Sequence, residues 1–99
     1  MTEQELIRKL NSVGKTIFIE YFGTFQSYAN EHLTKENCME LLVSDKVSNE
    51  SGAAIRCSNA ILIFKAKMEC EALRIVSKSN RLPSNIIVKA KELIKEYCR

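Results

Sequence analysis

Between Ile86 and Tyr97 the apolar residues Ile86, Ile87, Ala90, Leu93, Ile94 and Tyr97 fall at offsets 0, 1, 4, 7, 8 and 11. Lys89, Lys91, Glu92, Lys95 and Glu96 make up the other face of this stretch. A period near 3.6 places one set toward a core and the other toward water, which is an amphipathic helix. The same period recurs along most of the chain. Thr2 followed by Glu5 is a capping box ahead of Leu6, Ile7, Leu10 and Val13. Gly14 interrupts, and Ile17, Phe18, Tyr21, Phe22, Phe25 and Tyr28 again share one helical face. A strand competes over residues 16–22, which are rich in β-branched and aromatic side chains, but strict alternation fails at Phe18 and at Tyr21-Phe22. The spacing predicts a helix there.

Thr34 caps a third helix over 34–43, with Leu33 and Cys38 as a hydrophobic staple. Residues 44–48 read as a turn, and Ser48 as the cap of a fourth helix. In that helix Ala54, Cys57, Ile61, Phe64 and Met68 repeat at steps of 3 and 4, marking a buried seam. Ile55, Leu62 and Ile63 add apolar surface beyond it. A fifth helix carrying Ala72, Leu73, Ile75 and Val76 runs on from the fourth, since no Gly or Pro lies between Asn59 and Ser79. Pro83 then starts the last helix, with Ser84 as its cap. The expectation is an all-α fold: one domain over 1–99, a compact bundle of five or six short helices.

Composition closes off several classes. The chain has 99 residues, 45% of them hydrophobic, and a net charge of +3, so it is too apolar for a disordered chain. No stretch of about 18 apolar residues exists, so no membrane span is expected. The acidic start Met1-Thr2-Glu3-Gln4-Glu5 leads into no signal-peptide core, which favours a cytoplasmic protein. Cys38, Cys57, Cys70 and Cys98 are separated by 19, 13 and 28 residues, lacking the close pairs of a zinc site. They read as small reduced hydrophobes in preference to metal ligands or disulfides. His32 is the only histidine and has no Cys or Ser pattern beside it. Ser12-Val13-Gly14-Lys15-Thr16 ends like a phosphate-binding loop, but that signature needs a glycine where Lys9 stands. No cofactor, metal ligand or catalytic residue is therefore expected, and the chain does not read as an enzyme.

Charge is distributed unevenly. Residues 1–51 hold five basic and eight acidic residues, net −3, whereas residues 52–99 hold ten and four, net +6. A positive half attracts a phosphate backbone through counterion release. The short helix at 34–43, the turn, and the longer helix from 49 resemble a helix-turn-helix over 34–66. What that resemblance implies is DNA binding, with base edges read near the start of the second helix by Ser48, Asn49, Ser51, Arg56 and Asn59. Gly52 would admit a phosphate closely. Lys46, Lys65, Lys67, Arg74, Lys78 and Arg81 would grip the backbone. The first helix carries Glu40 and Leu41 where a small residue is usual, and the turn lacks glycine.

The apolar surplus of Ile17, Ile19, Ile55, Leu62 and Ile63 exceeds what a small core needs, favouring a homodimer. The expected function is a small dimeric DNA-binding regulator. The alternative is a non-catalytic protein-interaction module, such as an inhibitor, adaptor or antitoxin-like partner, docking through an apolar helix face.

Overall fold

The capping box at Thr2 forms: its hydroxyl accepts from the Glu5 amide at 3.2 Å, and the Glu5 carboxylate accepts from the Thr2 amide at 3.4 Å. That pair of bonds satisfies two of the free amides at the start of α1 (Glu3–Val13). It also holds the exposed Glu5 carboxyl below its ordinary range, since the charged form is the one Thr2 hydrogen-bonds. This is a computed structural model, and it describes residues 1–98. Six further helices follow in order: α2 (Lys15–Glu20), α3 (Phe22–Ala29), α4 (Lys35–Ser44), α5 (Glu50–Lys65), α6 (Glu69–Ser77) and α7 (Ser84–Tyr97). The fold is all-α, and no strand occurs among the described residues.

Residues 17–28 are helical, as the spacing predicts, but they bend at Tyr21 (φ −110°, ψ 20°) and so form two helices. Backbone bonds from Tyr21 to Ile17 and from Phe25 to Tyr21, both 2.9 Å, carry the ladder across the bend. Phe18, Phe22 and Phe25 are buried as one cluster. Phe18 meets Phe22 edge-on at 5.7 Å, and Phe64 of α5 lies 5.2 Å from Phe22 between ring centroids. Ile19, off the expected face, is also fully buried, because α2 packs on both α1 and α7.

α5 is the central helix, packed against α1, α3 and α4. Its buried seam is Ala53, Cys57, Ala60 and Ile63, with Phe64 half-buried, in place of the expected Ala54, Cys57, Ile61, Phe64 and Met68. The correction has a steric cause. Two alanines let neighbouring helices approach closely, so the small residues face inward and the bulkier Ile61 moves to the flank. Ile19 and Ile63 therefore leave the apolar surplus, and Ile17 packs partly against the core.

Three helices close on a left-handed residue that is not glycine. Glu31, Lys46 and Lys67 adopt φ of 64°, 60° and 58°. After α5, Lys67 donates to the Phe64 carbonyl at 3.0 Å and Met68 to Ile63 at 3.1 Å. After α4, Lys46 bonds Val43 at 3.0 Å and Val47 bonds Leu42 at 3.1 Å. After α3, Glu31 bonds Tyr28 at 3.1 Å and His32 bonds Ser27 at 2.8 Å. Each is a Schellman closure, whose left-handed residue is usually glycine. Lys67 thus separates α5 from α6, contrary to the expected continuous run.

Two expected caps shift by one residue. Asn49, not Ser48, caps α5 by accepting from the Gly52 amide at 2.7 Å. Ser84 is the first residue of α7, and the Pro83 carbonyl takes the Ile86 and Ile87 amides at 3.0 and 3.2 Å. Thr34 caps α4 as the sequence predicts, accepting from Asn37 at 3.1 Å.

The cysteines divide into two pairs. α6 and α7 form an antiparallel hairpin closed by a Cys70–Cys98 disulfide, with Cα atoms 5.7 Å apart. This overturns the reduced-thiol expectation for those two; Cys38 and Cys57 remain free and buried. The hairpin at Pro83 folds the end of α7 back to the start of α6, joining residues 28 apart.

Candidate functional site

α4, the turn over 45–49 and α5 have the outline expected of the helix pair at 34–66. Within the polar edge of α5, however, Arg56 is turned to another part of the protein. The Arg56 guanidinium donates to the Val13 carbonyl at the end of α1. That carbonyl is one of the last four of its helix, which have no partner within the helix, and α1 has no basic residue in its last turn. Arg56 supplies from α5 the positive charge that the negative helix end favours. Gly14 is what lets it reach: φ is +93° there, and a Cβ would stand 2.8 Å from the guanidinium.

Two of the other expected base-reading side chains are engaged within their own helix. Asn49 holds the Gly52 amide, and the Asn59 amide nitrogen donates to Ile55 of its own helix at 2.8 Å. A Cβ on Gly52 would lie 3.2 Å from the Asn49 oxygen, so the glycine accommodates its own cap and no phosphate is needed to explain it. The Ser48 hydroxyl is buried without a partner. Ser51 alone of this group is exposed and has no side-chain bond among the described residues.

The cations are not gathered beside that edge. Lys46 ends α4 near the start of α5, whereas Lys65 and Lys67 stand at its far end, about 24 Å away at 1.5 Å per residue over 16 residues. Lys65 and Lys67 line an open cleft with Gln26, Asn30 and Glu69. Arg74 and Lys78 line a different cleft that also holds Glu3 and Glu71, and Arg74 pairs with Glu71 at 3.7 Å. Arg81 is exposed in the α6–α7 connection. Each cleft mixes charges of both signs.

The face of α5 opposite its buried seam is uncovered and carries two large aliphatic side chains. Ile55 is 55% and Leu62 44% exposed, seven residues apart. Two turns bring side chains back to nearly the same azimuth, so these two stand in line along the helix. Ser51, Ser58, Asn59 and Ala66 at adjoining positions are short, which leaves Ile55 and Leu62 as a ridge that ends beside the exposed Lys65. On one flank Lys35 of α4 donates to Ser58 at 2.8 Å, fixing the edge of this surface.

A second bond unforeseen from sequence holds α4 in place. The Tyr21 hydroxyl donates to an Asp45 carboxylate oxygen at 2.6 Å. That bond, with some burial and the carboxylate charge, pushes the Tyr21 hydroxyl up to about 12. Residues 24 apart make the contact, so no local pattern announces it. No helix among the described residues is long and apolar enough to cross a membrane. Comparison with protein-family models, with curated proteins and with solved structures returns no match.

Proposed function

We propose that this chain is a protein-interaction module, without catalysis of its own, that docks through the outward ridge of α5, with a second copy as its occupant. The observation that carries the reading is the exposure of Ile55 and Leu62 in line on the central helix. On the expected DNA-reading edge of the same helix Asn49, Arg56 and Asn59 are, by contrast, engaged in bonds within the protein. A symmetric pair places the same ridge on both partners, so four half-exposed aliphatic side chains leave water together. Half the burial of a Leu or Ile is worth about 1 kcal/mol, giving about 4 kcal/mol for the four. That only matches the lower range of what association costs, so the pair is expected to be weak and concentration-dependent. The short serines beside the ridge favour close approach of the two helices.

Sedimentation velocity over a wide range of protein concentration tests this. The wild type is expected to shift from monomer to dimer as concentration rises, whereas Leu62→Lys stays monomeric with an unchanged melting temperature. A wild type that sediments as a monomer throughout contradicts the reading. A parallel titration with labelled duplex DNA covers the rival, since binding that falls steeply with salt would restore the DNA-binding regulator.

A further inference from the structure

We infer that Cys38 and Cys57 form a peroxide-oxidisable dithiol, which closes as a second internal disulfide bridging α4 and α5. The two sulfurs lie 3.0 Å apart with both side chains fully buried. A disulfide needs about 2.05 Å, so closure asks for a movement of about 1 Å, which small side-chain rotations supply. The pair sits where α4 and α5 pack on each other, next to residues that polarise it. Lys35 lies one turn before Cys38 on α4, and its ammonium reaches Ser58, the neighbour of Cys57.

These surroundings give the two thiols different tasks. In the neutral pair the Cys57 thiol donates to Cys38. Once Cys57 loses its proton, Cys38 donates back. That bond draws the Cys57 thiol below its ordinary range, opposed by burial and aided by the Lys35 charge. The same bond, together with burial, keeps Cys38 protonated well above the usual range. Cys57 is therefore the attacking thiolate and Cys38 the resolving thiol.

The chemistry balances with hydrogen peroxide as oxidant. The Cys57 sulfur attacks one peroxide oxygen, the O–O bond breaks, and hydroxide leaves to take up the proton Cys57 gave up. Cys57 is then a sulfenic acid. Cys38 attacks that sulfur, the S–O bond breaks, and the Cys38 proton leaves with the hydroxyl as water. Overall two thiols give up two electrons and two protons, and one peroxide becomes two waters. With two heavy atoms, peroxide is small enough to reach a buried pair through local opening of the ten-residue α4.

The test uses the full chain with Cys70–Cys98 intact. Folded protein is exposed to hydrogen peroxide, quenched, unfolded and alkylated with iodoacetamide without reduction, and labels per chain are counted by mass. The count is expected to fall from two to none, with peptide mapping showing a Cys38–Cys57 link inside one molecule. Cys38→Ser should stop at a sulfenic acid on Cys57, trapped by a cyclic dione. Cys57→Ser should leave Cys38 unoxidised under the same exposure. Should either variant fail to fold, the wild-type label count and link map decide the question alone. Both thiols still alkylating after peroxide, or a bond joining two chains, would overturn the inference.

Discussion

The protein contains two antiparallel helix pairs, each with a pair of cysteines, and they are held together differently. In α6–α7 the cysteines are partly buried, at the open end of the hairpin, and bonded. In α4–α5 they are fully buried, at the middle of the packed face, and free. α5 packs mainly on three other helices, α1, α3 and α4, whereas the main packing of α6 is on α7 alone. A helix surrounded by neighbours is fixed by burial, whereas a hairpin on the rim gains more from covalent closure, which removes freedom from its unfolded chain.

Breaking the covalent pair gives the largest expected effect. Cys70→Ser with Cys98→Ser opens a loop of 28 residues. The loss of stability should be about 3.5 kcal/mol by loop-closure entropy, read as a lower denaturation midpoint. A smaller loss would mean that packing holds the rim hairpin as it holds α5.

Next comes Arg56→Ala, which removes a charged donor from the end of α1. A partly exposed bond of this kind is worth about 1.5 kcal/mol, and thermal unfolding should show it. If Arg56 served DNA instead, its removal would leave stability intact.

The smallest change goes in the opposite direction. Lys46→Gly and Lys67→Gly replace side chains that crowd a left-handed backbone, and each should stabilise the protein by about 1 kcal/mol. Unaltered midpoints would show that the two side chains compensate through contacts of their own.

These three sites also mark where sequence and structure part. The apolar period announces the helices, and Thr2 and Thr34 announce their starts, because those signals lie within one or two turns of chain. The ends of α3, α4 and α5 are silent. Their closures depend on a left-handed residue, and charged residues stand where glycine would have been the signal. The seam of α5 was misplaced because hydropathy weights Ile61 above Ala60, while close packing prefers the smaller residue. Arg56 illustrates the remainder. Its polar azimuth on the helix was legible, but its partner lies 43 residues away on α1. A side chain facing a neighbouring helix and one facing a ligand give the same local pattern. The ridge was partly legible: Ile55 and Leu62 belonged to the expected surplus, and only the fold removes Ile19 and Ile63 from it.

Dilution of isotope-labelled protein, followed residue by residue in amide correlation spectra, tests most directly which side of α5 is in use. Shifts that move with concentration at Ser51, Ile55, Ser58 and Leu62, while Arg56 and Asn49 stay fixed, are the predicted result. Spectra that ignore concentration, yet move at Arg56, Asn59 and Lys65 when duplex DNA is added, would contradict it.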